Sequence, residues 1–115
     1  MRILIVDDEP LIRLGLMSLV EEWGYEADMA ADAKSAIALM EQERFDLIIT
    51  DVDMPGMDGI ALAHYAASTW PPIRIIVVSG KITVDAASLP DGARFLAKPC
   101  SDTILNAAIA EMRPT

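Results

Sequence analysis

The chain has 115 residues, the usual size of one domain, and 53% of them are hydrophobic, so it can bury one core. Its net charge of −9, with no cluster of Lys or Arg, argues against direct binding to nucleic acid or to an anionic membrane surface. The chain has a single cysteine, Cys100, so it cannot form an internal disulfide. No apolar run approaches the ~20 residues of a membrane span. We therefore expect a single cytoplasmic domain over residues 1–115.

Five short apolar segments predict β-strands, and four of them are rich in Ile and Val without alternating with polar residues. Such continuous runs are typical of central strands in a parallel sheet that is covered on both faces. The second segment alternates and is the weaker prediction. In chain order the segments are Ile3–Val6, Tyr25–Ala30, Leu47–Thr50, Ile73–Val78 and Phe95–Ala97.

Between these strands, apolar residues recur at helical spacing, and local signals mark the helix ends. Pro10 suits the first turn of a first helix, and Gly24 is a good stop after it. Asp32 predicts the cap of a second helix, a third runs from about Gly59, and Ser101 caps the last. Because strands and helices alternate, we expect right-handed βαβ units and a doubly wound α/β fold, with helices on both faces of a five-stranded parallel sheet.

Polar side chains follow four of the predicted strands at their carboxyl ends. Asp7 and Asp8 follow the first strand, Asp51 the third, Ser79 the fourth and Lys98 the fifth. The carboxyl ends of parallel strands meet at one edge of the sheet, and ligands bind in the crevice outside them. We therefore expect these five residues to form one site.

Three carboxylates against one ammonium give this expected site a net charge of −2. Two carboxylates about 4 Å apart repel each other by about 4 kcal/mol at an effective dielectric constant of about 20. A bound Mg²⁺ ion would remove this repulsion, because it prefers carboxylate, carbonyl and phosphate oxygens as ligands. The sequence therefore predicts a magnesium site.

The same residues suit phosphoryl transfer. A metal ion and Lys98 can neutralise the phosphoryl oxygens, and the Ser79 hydroxyl can donate a hydrogen bond to one of them. Carboxylates act as nucleophiles towards phosphoryl groups. Asp51 is the candidate nucleophile, because it is the lone acid at its strand end and its loop is bent by Pro55, Gly56 and Gly59, which leaves the backbone near the ligand.

Four stretches of the sequence, in this order, resemble the receiver domain of two-component response regulators: ILIVDDE, LIITDVDMPGMDG, IIVVSG and FLAKP. The resemblance covers essentially the whole chain. It implies a flavodoxin-like sheet with strand order 2-1-3-4-5. It also implies a signalling switch that accepts a phosphoryl group from a histidine kinase or a histidine phosphotransfer protein, and then alters its contacts with an unknown downstream protein.

Carried over to this sequence, the resemblance makes Asp51 the phosphoryl acceptor of a Mg²⁺-dependent transfer. Asp8 and Asp51 would bind Mg²⁺ directly, and Asp7 would act mostly through a metal-bound water. The backbone carbonyl of Asp53 would also bind the metal. The family pattern implies no enzymatic turnover beyond the domain's own phosphorylation and dephosphorylation.

The resemblance also assigns the contacts to the phosphoryl oxygens, which would come from Ser79 and Lys98. Ser79 and Phe95 would be the pair that moves on phosphorylation, and the peptide bond before Pro99 would be cis. Lys98 follows Ser79 by 19 residues, a shorter stretch than is usual for the family. The fourth helix is therefore expected to be short or irregular, with at most a turn or two at Asp85–Leu89.

Two other functions stay open on the residues alone. A small Mg²⁺-dependent phosphatase of the haloacid dehalogenase type also uses a strand-end DxD motif, a Ser and a Lys, which Asp51–Asp53, Ser79 and Lys98 match in order. In that superfamily, however, a further acid pair normally follows the lysine, and 115 residues leave no room for the usual cap domain. A metal-free pseudo-receiver is the other alternative, although every expected site residue is present. The chain ends soon after its last helix, which suits a stand-alone receiver or a receiver cut from a larger regulator.

Overall fold

The computed structural model describes residues 1–80 and 85–113. Its elements, in chain order, are β1 (Arg2–Val6), α1 (Pro10–Glu22), β2 (Glu26–Ala30), α2 (Ala33–Gln42), β3 (Leu47–Asp51), α3 (Gly59–Thr69), β4 (Arg74–Ser79), a 3-10 helix (Ala86–Ser88), β5 (Arg94–Ala97) and α4 (Asp102–Glu111). The strands form one sheet in the order β2-β1-β3-β4-β5, and every neighbouring pair is parallel. The predicted flavodoxin-like topology is therefore confirmed.

Both faces of the sheet are buried, which explains why the central strands do not alternate in polarity. Leu4 and Ile48 belong to an apolar cluster that includes residues of α2 and α3. Their chain neighbours Ile5 and Ile49 belong to a second cluster, which includes residues of α1 and α4. Successive strand residues point to opposite faces, so each face needs its own layer of helices.

The predicted helix starts are confirmed by their capping contacts. The side chains of Asp32, Asp58 and Ser101 accept hydrogen bonds from backbone N–H groups in the first turns of α2, α3 and α4, at 2.7, 2.9 and 3.2 Å. Each bond satisfies a donor that has no partner inside its helix. α1 begins at Pro10, and Gly24 follows its end with a φ of 93°. Over the two described ranges, no helix has the length and apolar character needed to cross a membrane.

The connection between β4 and β5 is short. Within its described part, Ala86–Ser88 form one turn of 3-10 helix, and the Asp85 carboxylate accepts a hydrogen bond from the Ala87 N–H at 3.0 Å. Leu89 is buried against the core. The sequence predicted a short or irregular helix between the fourth and fifth strands, and this is confirmed for the described part of the connection. Residues 81–84 lie outside the described residues.

Two strands extend one residue beyond their predicted carboxyl ends, and this positions the polar edge of the sheet. Asp51 and Ser79 are the last residues of β3 and β4, whereas the sequence placed them just after the strands. The ladder continues because the Val52 N–H donates to the Val78 carbonyl at 3.0 Å and the Lys98 N–H donates to the Ser79 carbonyl at 2.8 Å. The backbone at both polar residues is therefore fixed by the sheet.

Candidate functional site

Three acids converge at the carboxyl edge of the sheet. One carboxylate oxygen from each of Asp7, Asp8 and Asp51 lies within 4.8 Å of the others. Asp7 and Asp51 are buried, with 1% and 6% of their surface exposed, whereas Asp8 is half-buried. Three carboxylate donors at this spacing suit a hard divalent cation, so the residues present fit the Mg²⁺ ion that the sequence implied.

Lys98 faces two of these acids. Its Nζ lies 3.4 Å from Asp7 Oδ2 and 3.3 Å from Asp51 Oδ1. Burial disfavours the charged ammonium, but the two carboxylates outweigh that effect and raise the pKa of Lys98. Lys98 is therefore charged at neutral pH and offsets part of the negative charge. The Lys98–Pro99 peptide bond is cis, as the resemblance implied.

Asp51 lies in an environment that disfavours its free anion. Burial raises the pKa of its carboxyl; the Lys98 ammonium opposes this rise, and the neighbouring Asp7 adds to it. The Thr50 hydroxyl donates to the Asp51 carbonyl at 3.0 Å, and the Asp53 N–H donates to Asp51 Oδ1 at 3.4 Å. A bound cation, or a bond to an electrophile, would relieve the unfavourable charge of this carboxylate.

The other predicted residues lie on neighbouring strands or in the loop after β3. Ser79 is fully buried, and it pairs in register with Ala97, the residue before Lys98. Phe95 is half-buried deeper along β5 and packs against the cluster on the α2 and α3 face. The side chain of Asp53 is exposed, and the resemblance assigned a role only to its backbone carbonyl.

Two residues that support the acids were not predicted in that role. Arg13 donates a hydrogen bond from Nη1 to the Asp7 carbonyl at 2.8 Å. Gly59 packs against the end of β3: a Cβ at this position would overlap the Asp51 carbonyl oxygen and lie 2.9 Å from Val52 Cα. A glycine in the first position of a helix was a usable signal for the second contact. Sequence carries no comparable signal for the direction of a long side chain such as Arg13.

An apolar cleft of about 530 Å³ borders the acids between α1 and α4. Ile12 and Leu16 of α1 and Leu105 of α4 line it, together with Asp51 and Lys98. The acceptor candidate therefore borders an apolar surface as well as the polar edge of the sheet.

Known proteins share both this sequence pattern and this fold. Residues 3–110 match the family described as response regulator receiver domain. The chain is 34% identical over 101 residues to the response regulator receiver protein CpdR of Brucella abortus, which covers 85% of this chain and 84% of that protein. It is 36% identical over 115 residues to the sensor kinase CckA of the same organism, which covers 96% of this chain and 12% of that protein.

A solved structure shows the same architecture. The response regulator protein TrrA of Thermotoga maritima, in complex with Mg²⁺ and BeF, is 27% identical, with a TM-score of 0.86 and coverage of 97% of this chain and 98% of that chain. Several curated relatives are longer proteins, of which this chain spans between 12% and 50%. The match over residues 3–110 and the five-stranded fold lead to one conclusion: the chain belongs to the receiver-domain family of two-component response regulators.

Proposed function

We propose that this receiver domain is a phospho-accepting switch in which Asp51 takes a phosphoryl group in a Mg²⁺-dependent reaction. The observation that carries the proposal is the convergence of Asp7, Asp8 and Asp51 within 4.8 Å, faced by Lys98 at 3.3 and 3.4 Å. Membership of the family supports a switch rather than a phosphatase of the haloacid dehalogenase type. The complete acid cluster supports it over a degenerate pseudo-receiver.

The proposed metal ligands are Asp8 and Asp51 directly, Asp7 through water, and the backbone carbonyl of Asp53. When bound, Mg²⁺ neutralises the acids and the phosphoryl oxygens, which lowers the electrostatic cost of bringing a phosphoryl group to a carboxylate. An indirect role for Asp7 is supported by its existing contacts, because its Oδ1 accepts from the Glu9 N–H at 2.9 Å and its Oδ2 faces an ammonium at 3.4 Å. The related TrrA was solved with Mg²⁺.

In the proposed transfer, an oxygen of Asp51 forms a bond to phosphorus while the bond from phosphorus to the donor's imidazole nitrogen breaks. The electron pair of the broken bond stays with that nitrogen. Lys98, already close to Asp51, pairs with one phosphoryl oxygen, and the Ser79 hydroxyl donates to another. Water later hydrolyses the phosphoaspartate, so the chain catalyses only its own phosphorylation and dephosphorylation.

The switch itself is a population shift between two conformations, one of which binds the phosphoryl group better. Ser79 and Phe95 are the residues that we propose to move. The proposed donor is a histidine kinase or a histidine phosphotransfer protein, which the similarity to the sensor kinase CckA supports. We propose that residues 1–115 act as one receiver domain in the cytoplasm, and that phosphorylation alters contacts with a downstream protein.

Acetyl phosphate and Mg²⁺, followed by intact mass spectrometry, test the proposal. The wild-type chain is expected to gain one phosphoryl group, which disappears with EDTA and in Asp51→Asn. Asp91→Asn removes an exposed acid in the turn before β5 and is the matched control, expected to react like the wild type. An unmodified wild-type chain, or equal modification of Asp51→Asn, would contradict the proposal. Release of many phosphates per chain from p-nitrophenyl phosphate would favour the phosphatase instead.

A further inference from the structure

Asp7 is held through all four of its polar atoms. Its N–H donates to the Ala30 carbonyl at 3.2 Å, and its Oδ1 accepts from the Glu9 N–H at 2.9 Å. Its Oδ2 faces Lys98 Nζ at 3.4 Å, and its carbonyl accepts from Arg13 Nη1 at 2.8 Å. Because Asp7 is only 1% exposed, losing a partner leaves a buried polar atom without a hydrogen bond, and the chain must move to satisfy it.

Arg13 closes the turn between β1 and α1. Its backbone N–H donates to the Glu9 carbonyl at 3.0 Å in the first helical turn, while its guanidinium reaches back to Asp7. Glu9 gives α1 no side-chain cap, so this turn depends on the contacts that Asp7 makes. Asp8 lies between the two fixed residues Asp7 and Glu9, and the same turn therefore sets the direction of its carboxylate.

We propose that Arg13 is a positioning residue for the metal site: by holding the Asp7 carbonyl, it directs the carboxylates of Asp7 and Asp8 towards Asp51. This inference rests on the proposed function, because it takes Mg²⁺ as the ion bound. The competing role is that of a simple counter-charge beside three acids. Removing a counter-charge makes the site more negative and tightens Mg²⁺ binding. Removing a positioning contact misaligns the ligands and weakens binding.

Isothermal titration with MgCl₂ at neutral pH distinguishes the two roles. Arg13→Met removes the charge and the hydrogen bond together, and Arg74→Met removes the same charge at the amino end of β4, away from the acids. We expect the dissociation constant to rise about tenfold in Arg13→Met, as for other residues that orient metal ligands, and to stay within about twofold in Arg74→Met. Arg13→Lys keeps the charge and one donor, and should fall between Arg13→Met and the wild type. Binding by Arg13→Met that equals or exceeds that of the wild type would overturn the positioning role.

A second measurement needs no metal. Without Mg²⁺, amide hydrogen exchange at Asp7 and Glu9, whose N–H groups donate to the Ala30 carbonyl and to Asp7 Oδ1, should be faster in Arg13→Met than in the wild type, while exchange in β4 stays the same. Unchanged exchange at these two amides would overturn the inference. Circular dichroism checks folding. If Arg13→Met does not fold, Arg13→Gln takes its place, because it also removes the charge and its shorter side chain cannot reach the Asp7 carbonyl from the same position; wild-type values in both measurements would then refute the role. Absence of Mg²⁺ binding by the wild type would instead refute the proposed function.

Discussion

Gly59→Ala tests how the loop after β3 is built. A Cβ at Gly59 would overlap the Asp51 carbonyl oxygen and lie 2.7 Å from that carbonyl's carbon and 2.9 Å from Val52 Cα. Carbon atoms prefer separations of about 3.5–4.0 Å, so α3 and the end of β3 must move apart by about 1 Å. The clashing atoms all belong to the backbone, and no side-chain rotation can relieve the overlap.

Two opposing contributions set the size of the effect. Alanine favours a helix over glycine by up to about 1 kcal/mol, while overpacking costs about 1–3 kcal/mol and more where backbone must shift. We therefore expect Gly59→Ala to lower the free energy of unfolding by about 2 kcal/mol. The matched control is Gly15→Ala on the exposed face of α1, where a Cβ meets no atom within 4 Å. The same substitution there should raise the free energy of unfolding by about 0.5–1 kcal/mol.

Thermal unfolding followed by far-UV circular dichroism measures both variants. At about 4 °C per kcal/mol for a domain of this size, Gly59→Ala should unfold about 8 °C below the wild type, and Gly15→Ala a few degrees above it. Acetyl phosphate should also modify Gly59→Ala more slowly, because moving the Asp51 peptide turns its carboxylate. Equal melting temperatures for Gly59→Ala and the wild type, or shifts of the same sign in both variants, would refute the reasoning.

Three further outcomes are expected. Mg²⁺ at ten times its dissociation constant should raise the free energy of unfolding of the wild type by about 1.4 kcal/mol in a thermal-shift assay. The increase should be smaller in Asp51→Asn. No shift of the wild-type melting temperature with millimolar Mg²⁺ would count against the metal site. Without Mg²⁺, Asp51→Asn should be more stable than the wild type at neutral pH, because the raised pKa of Asp51 reports surroundings that disfavour its charge. The stability that the protonated Asp51 carboxyl contributes is present below its ordinary pKa and is lost as pH rises through the raised pKa. The stability advantage of Asp51→Asn over the wild type should therefore vanish in acid. Urea titrations that find this advantage constant with pH would contradict the assignment. His64→Ala removes the 2.6 Å hydrogen bond from His64 Nε2 to the Ser88 carbonyl. It should speed amide exchange at Ser88 and lower the free energy of global unfolding by about 1 kcal/mol or less. Exchange at the wild-type rate would show that this bond does not stabilise the 3-10 helix.

The sheet and its polar edge could be predicted because both are encoded locally. Leu47–Thr50 lie in the centre of the sheet, where both faces are covered, so the segment is buried throughout. Parallel topology then gathers the strand ends, which explains why Asp7, Asp51 and Lys98 were expected together. β2 was the weaker prediction because it lies at the edge of the sheet, where residues such as Glu26 are exposed and no continuous apolar run is required.

The supporting contacts were missed, because their partners depend on the path of a loop or the rotamer of a long side chain. The glycine at the start of α3 signalled only that some group packs closely there. Arg13 bonds to Asp7 across the first turn of α1, and spacing along the chain does not indicate that direction. Gly59 approaches Asp51 because the loop between them folds back, with the Gly59 N–H donating to the Val52 carbonyl at 2.9 Å. Both contacts follow from tertiary structure rather than from local preference.

Hydrophobicity alone does not fix the register of β3 against its neighbouring strands, because both faces of the sheet are apolar. If β3 slipped by one residue, Ile48 and Ile49 would exchange clusters, and each would still lie among aliphatic neighbours. The same slip would carry Asp51 out of line with Lys98 and break their ion pair. The ion pair between Asp51 and Lys98 therefore distinguishes the correct alignment of β3 from the slipped one, so the polar edge of the sheet supplies a register signal that its apolar faces lack.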